Sequence, residues 1–106
     1  MNDRLNQMLI FLEQDPNDSF TRYAVGLEYL SLKDYELAIR HFTTLLNQDS
    51  DYLATYYQLG GIYATLEQFD KAEEIYNSGI KVARKQADIH TLSELQFALD
   101  ELESLR

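Results

Sequence analysis

Three features predict an all-α fold built from repeated helix hairpins. Apolar residues recur at steps of three and four through most of the chain, which is the period of one face of an α-helix. Gly26, Tyr29, Leu32, Tyr35 and Ala38 return as Gly60, Tyr63, Leu66, Phe69 and Ala72, every pair 34 residues apart, and a fixed offset of that kind is the mark of a helical repeat. One proline and four glycines in 106 residues supply few of the turn formers that a run of short strands needs.

The first helix is expected over residues 3–13, where Leu5, Met8, Leu9 and Leu12 make one apolar stripe beside Ile10 and Phe11. Asp15-Pro16-Asn17-Asp18 ends it, because the residue before a proline is pushed out of helical backbone. Asp18 or Ser19 then caps the next helix. That second helix, about 18–32, is apolar almost all round, with Phe20, Tyr23, Ala24, Val25, Leu27, Tyr29, Leu30 and Leu32, so it needs partners on more than one side. Lys33-Asp34 is a short turn with Asp34 as N-cap of a third helix, which runs to about Asn47. Its Leu37, Ala38, Phe42, Leu45 and Leu46 face inward, and its Arg40, Thr43 and Thr44 face water.

Gln48-Asp49-Ser50-Asp51 parallels Gln14-Asp15-Pro16-Asn17 at the same offset of 34, and Met8, Phe11 and Leu12 parallel Phe42, Leu45 and Leu46. The first helix therefore reads as the second half of a repeat whose first half is missing. The fourth helix, about 52–65, carries Leu53, Tyr56, Tyr57, Leu59, Ile62 and Tyr63; Glu67-Gln68 turns the chain. The fifth, about 69–85, carries Ala72, Ile75, Tyr76, Ile80 and Ala83, with Lys81, Arg84 and Lys85 near its end, where cations favour the helix dipole. A sixth, about 88–105, has Leu92, Leu95, Leu99 and Leu102 in alternating steps of three and four, with Glu94, Asp100, Glu101 and Glu103 mostly off that stripe.

Charge excludes some partners. Eighteen acids against nine bases give a net charge of −9, which disfavours a nucleic-acid backbone or an anionic membrane surface, since both require a positive face. No apolar run approaches the roughly 18 residues of a membrane span. Met1-Asn2-Asp3-Arg4 does not open a leader of the basic-then-apolar kind, so Asn17-Asp18-Ser19 is read as a chance glycosylation sequon. Cysteine is absent, so no disulfide or thiolate metal site can form, and the expected location is the cytoplasm.

Catalytic chemistry has little to build on. His41 lies within the third helix, and His90 stands four residues before Glu94 with no third ligand in reach by sequence, which reads as a helix-surface pair rather than a metal site. Asp70 with Glu73-Glu74 is a solvated face. No G-x-S-x-G nucleophile motif occurs. Gly60-Gly61 is no phosphate loop, because no lysine follows and the setting is mid-helix. The expectation is a protein that is not an enzyme and has no catalytic, cofactor or metal site.

The 34-residue pattern resembles the tetratricopeptide repeat, in which each unit is a helix A–turn–helix B hairpin. In that resemblance Gly26 and Gly60 are the small residues of helix A that admit helix B, and Ala38 and Ala72 face them. Tyr29 and Tyr63, Tyr35 and Phe69, Phe42 and Tyr76 fill the layer between, with Tyr56 also in the core. A glycine inside a helix costs about 1 kcal/mol against alanine, so its use at two matched sites points to close backbone packing. The resemblance implies one domain over 1–106: a half repeat at 3–17, repeats at 19–52 and 53–86, and a capping helix at 88–105. The implied architecture is a right-handed superhelical stack of six helices in antiparallel hairpins. Arg22 departs from the pattern, standing where the family has a large apolar residue that Tyr56 supplies in the second repeat. Ser93-Glu94 also departs, falling where the apolar–glycine pair belongs.

In the family, the other face of helix A lines a groove that grips extended peptides. Here that face would comprise Phe20, Tyr23, Leu27 and Leu30 from the first repeat and Ala54, Tyr57, Gly61 and Ala64, with Thr65 beside them, from the second, with a hollow expected at Gly61. The implied function is a non-enzymatic protein- or peptide-binding module. Grip on a C-terminal carboxylate through Lys, Arg and Asn is not expected, because Tyr23, Leu27, Tyr57 and Gly61 occupy several of those sites. The alternative reading is homodimerisation through this face or the last helix. A small-ligand carrier or enzyme with a pocket near Gly61 would need converging polar groups, and tyrosine hydroxyls and Thr65 are what the sequence places there.

Overall fold

The computed structural model of the chain describes residues 3–106; Met1 and Asn2, which entered the argument against a leader, lie outside them. Among the described residues there are six α-helices and no strand: α1 (Asp3–Gln14), α2 (Ser19–Ser31), α3 (Tyr35–Gln48), α4 (Ala54–Thr65), α5 (Phe69–Lys85) and α6 (Ile89–Leu105). The fold is an all-α helical repeat. The chain divides between Tyr52 and Leu53 into two compact units, α1–α3 and α4–α6.

In the first unit α2 and α3 form a hairpin, with α1 packed on α2. Asp18 is the N-cap of α2, accepting from the Thr21 amide at 3.0 Å and from the Thr21 hydroxyl. Gly26 is where the hairpin closes: a Cβ there would fall inside 3.0 Å of the Phe42 ring. Ala38, Phe42 and Leu45 are wholly buried on α3. Val25 turns the other way and joins Leu5 and Leu12 in a core flanked by Met8, Leu9 and Tyr29, which is what holds α1.

The second unit repeats the hairpin with α4 and α5, and α6 packs on both. Gly60 presses on the Tyr76 ring as Gly26 presses on Phe42. Leu95 and Leu102 bury the α6 stripe, while Leu92 and Leu99 are half-buried; Ile89, Phe97 and Leu105 stay exposed on the same helix. Gly79 on α5 meets Tyr56 Cβ and the Leu95 side chain, a contact that a repeat pattern centred on Gly26 and Gly60 does not include.

The helix ends follow one recipe. After α2, Lys33 adopts φ 59° and its amide donates to Leu30 O at 2.9 Å, while the Asp34 amide reaches back to Tyr29 O at 2.9 Å. Glu67 (φ 60°) and Ala87 (φ 55°) do the same after α4 and α5, with Gln68 donating to Tyr63 O and Asp88 to Ala83 O, each at 2.9 Å. These are Schellman closures carried by residues other than glycine. Asp34 and Asp88 then cap α3 and α6 with their side chains, whereas Gln68 makes no such bond to α5.

Two expectations are adjusted. The fourth helix starts at Ala54 rather than near Tyr52, because the Tyr52 amide is taken by Asp49 O in the preceding turn at 3.1 Å. Leu32 and Leu66 recur at the repeat offset yet are 56% and 37% exposed, since they stand at the C-caps, past the buried face. Among the tyrosines read as packing, Tyr56 and Tyr76 are buried, and Tyr29, Tyr35 and Tyr63 are half-buried.

Candidate functional site

On α4, Tyr57, Gly61 and Ala64 follow one another at steps of four and three, so they share one face. Tyr57 is 43% exposed, and Gly61 and Ala64 are half-buried. Gly61 differs from the other three glycines. A Cβ built on it would meet nothing nearer than the Tyr76 hydroxyl oxygen, 3.9 Å away, so the helix surface is open there. The Thr65 hydroxyl donates to Gly61 O at 2.9 Å, which ties down the carbonyl beside the opening. The α4 surface is thus open at Gly61, with the exposed Tyr57 ring one turn before it and the Tyr76 hydroxyl as the nearest side-chain atom. The Tyr76 phenol is pushed up to about 12, first by burial and then by Tyr57 and Glu101, so it keeps its proton at neutral pH.

On α2 the predicted face divides. Phe20 is 71% exposed and borders a groove of about 300 Å³ between α1 and α2, whose walls are Met8 and Phe11 on one side and Thr21 and Ala24 on the other, with Arg4 and Gln7 also lining it. Tyr23 instead leans on aromatic rings, with centroids 5.8 Å from Phe42 and 5.3 Å from Tyr52. Leu27 and Leu30 are half-buried on the same helix. Tyr52 is itself raised above the ordinary tyrosine value by burial, then by Tyr23, Asp49 and Asp18.

Arg22, the departure from the repeat pattern, has a structural use. Its Nη2 donates to Pro16 O at 3.0 Å and its Nη1 meets His41 Nδ1 at 3.1 Å, while the His41 ring stacks on Tyr29 at 5.5 Å. Arg22 thereby ties the α1–α2 loop to α3. A guanidinium has only hydrogens to offer, so Nδ1 accepts and the His41 proton sits on Nε2. Burial, then Arg22, then Arg40 lower the His41 pKa below its ordinary 6.5. No single-site repeat rule signals this cluster; pairing Arg22 with the histidine one helix away would have been the clue.

The remaining sequence candidates stay dispersed. His90 and Glu94 stand 3.7 Å apart on the α6 surface, and no group of three metal-ligating side chains occurs among the described residues. None of the described helices is long and apolar enough to cross a membrane.

Comparison with known proteins bears on the family and the fold. A family model for the tetratricopeptide repeat matches residues 29–95. A tetratricopeptide repeat domain protein from Salinibacter ruber, solved by NMR, is 42% identical, with 87% of this chain and 93% of that one covered and a TM-score of 0.82. Two more distant structures share the fold. The complex of PcrH with the chaperone binding region of PopD has a TM-score of 0.89 at 18% identity, with 96% of this chain and 77% of that one covered. The TPR2B-domain:pHsp70 complex of yeast Sti1 also has a TM-score of 0.89, at 11% identity, with coverage of 96% and 82%. A search of curated proteins gives no match.

Proposed function

This chain belongs to the tetratricopeptide repeat family, and we propose from that premise that it is a non-enzymatic module that binds a segment of another protein along the face of α4 that carries Tyr57, Gly61 and Ala64. The observation that supports the reading is the open helix surface at Gly61 beside exposed Tyr57. A glycine inside a helix weakens it by about 1 kcal/mol. Gly26, Gly60 and Gly79 offset that cost by admitting a ring or side chain of the same fold, and Gly61 admits none. Room left vacant beside an exposed aromatic is what an anchor side chain of a partner fills. Two proteins of the same fold are known as complexes, PcrH with the chaperone binding region of PopD and the TPR2B domain of yeast Sti1 with pHsp70.

The test is selection of a phage-displayed library of random 12-residue peptides on the purified chain, followed by titration of the enriched peptides. Tyr57→Ala removes an exposed ring, so helicity should stay at the parent level while affinity falls about tenfold, as for a central aromatic anchor. Enriched peptides that bind this variant as tightly as the parent would remove the α4 face from consideration.

A second reading has its own observation. Ile89, Phe97 and Leu105 of α6 are 75%, 66% and 63% exposed. Association of two copies through α6 would cover them. Light scattering behind a size-exclusion column decides this, since a mass that stays at that of one chain across a wide concentration range eliminates it.

A further inference from the structure

Phe97 is the third residue of a series spaced by 34, after Tyr29 and Tyr63. Each of the first two is covered from the helix that follows its own. The Tyr29 ring stacks on His41 of α3 at 5.5 Å, and Lys71 of α5 lies over the Tyr63 ring at 5.4 Å. No described helix follows α6, and Phe97 is 66% exposed. Thus α6 shows to solvent the ring position that α2 and α4 cover with the next helix.

The converse holds at α1. Arg4, Met8 and Phe11 stand 34 residues before Ala38, Phe42 and Leu45 of α3. On α3 all three are wholly buried, with the Phe42 ring closed over Gly26 of α2. On α1 they form one wall of the groove of about 300 Å³ that Phe20 borders. There Phe11 is 44% exposed, Phe20 71% and the Arg4 side chain 74%. The α1 wall of this groove is the face that α3 buries under α2.

We infer that α6 of a second copy of this chain docks in the α1–α2 groove, lying against α1 as α2 lies against α3. The inference rests on the second reading above, association through α6, and names the surface that α6 meets. Charge complementarity selects this occupant. Where α2 and α4 have Gly26 and Gly60, α6 has Glu94; where α3 and α5 have Ala38 and Ala72, α1 has Arg4. Within the chain these positions are small and the helices close tightly on them. Between copies the same positions hold an acid and a base, which attract each other and fix the register. The ring that a Cβ at Gly26 would strike is replaced on α1 by Met8, an unbranched chain that yields to a larger neighbour. The contacts that Arg4 and Glu94 make inside one chain, with Glu28 at 3.5 Å and His90 at 3.7 Å, are open to solvent and cost little to exchange. Two different surfaces meet, so copies add head to tail. The net charge of −9 opposes any self-association, and physiological salt screens that repulsion beyond about 8 Å.

The experiment is sedimentation equilibrium of the whole chain in physiological salt, taken up to about 1 mM because one helix in one groove is a small interface. The mass of the parent should rise with concentration. Glu94→Lys and Arg4→Glu each set like charges across the contact, so each should associate about tenfold more weakly. Mixed in equal amounts, they present opposite charges at both contacts and should recover the parent's association. Phe97→Ser and Phe20→Ser each remove an exposed ring. Neither should associate alone, and their mixture should give a complex of two chains, because one keeps its groove and the other its α6. A parent that stays at the mass of one chain throughout overturns this inference together with the reading it rests on. Association lost in Phe97→Ser but kept in Phe20→Ser leaves α6 as a contact and refutes the groove as its seat. Should Arg4→Glu melt below the parent through loss of its contact with Glu28, the phenylalanine pair decides: a mixture that stays at the mass of single chains refutes the head-to-tail pairing.

Discussion

Tyr56 sets its Cβ against the bare backbone of Gly79, on the helix that follows it in the hairpin. Their counterparts 34 residues earlier are Arg22 and Leu45. Where one unit has a side chain that leaves toward a loop carbonyl and a leucine opposite, the other has a ring and a glycine. Bulk on one helix has been exchanged for bulk on its partner, so the two sites vary as a pair. A methyl group at Gly79 would fall inside 3.0 Å of Tyr56 Cβ and Cγ, atoms too near their own backbone to swing away. Gly79→Ala is expected to lose about 1–3 kcal/mol in urea denaturation, as overpacked cores do. A variant as stable as the parent would show that α4 and α5 can separate at no cost.

Neighbouring glycines on α4 should respond in opposite directions. Alanine at Gly60 would intrude on the Tyr76 ring, whereas alanine at Gly61 has open space before it. Gly61→Ala is expected to gain up to about 1 kcal/mol from helix propensity, and Gly60→Ala to lose about 1–3 kcal/mol because a close-packed ring must shift. Thermal melts of the two variants side by side give the comparison, and a shared sign would contradict the geometry.

The N-terminus of α5 has room for improvement. Gln68 sits at φ −93°, ψ 71°, close to Asp34 at −87°, 79° and Asp88 at −90°, 89°, yet both aspartates cap their helices and Gln68 does not. Gln68→Asp should therefore place a carboxylate within reach of the Lys71 amide and raise stability by about 0.5–1 kcal/mol. An unchanged urea midpoint would mean that the amides of that first turn are already satisfied by solvent at no penalty.

Acid should weaken the first unit through His41. Because the folded pKa lies below the ordinary 6.5, the unfolded chain takes up the proton first as pH falls. The contribution is complete above pH 6.5 and is lost as pH drops from there through the folded value. Protonation also turns the Nδ1 acceptor into a donor facing Arg22. His41→Gln keeps a hydrogen-bonding side chain but cannot titrate, so the gap between its melting temperature and the parent's should change between pH 8 and pH 5. Parallel curves over that range would remove His41 as the cause.

Much of the fold was legible because a repeated hairpin shows every important contact twice. Gly26 and Gly60 stand out through recurrence, and the structure finds each against the ring, Phe42 or Tyr76, that recurs with it. Turn chemistry was equally open to reading at Asp18 and Asp34, whose side chains bond the amides three residues on. What recurrence could not show is where the two copies differ by compensation. Arg22 looks like a defect until Pro16 O and His41 are seen around it. Recurrence also did not distinguish burial from position, since Leu32 and Leu66 repeat and remain exposed. At the candidate site, the opening at Gly61 was foreseeable from its place off the Gly60 face. The Tyr76 hydroxyl beneath it was not, because that residue reads as core from its ring and its oxygen emerges only when α5 is docked on α4.

Asp34 and Asp88 each serve two helices, the amide closing the one before and the carboxylate opening the one after. Neither function can be moved by one position without losing the other. A corner of this kind has no slack, so insertions and deletions that an ordinary surface loop absorbs would here unfasten two helices at once. Change at these two corners has to come by substitution.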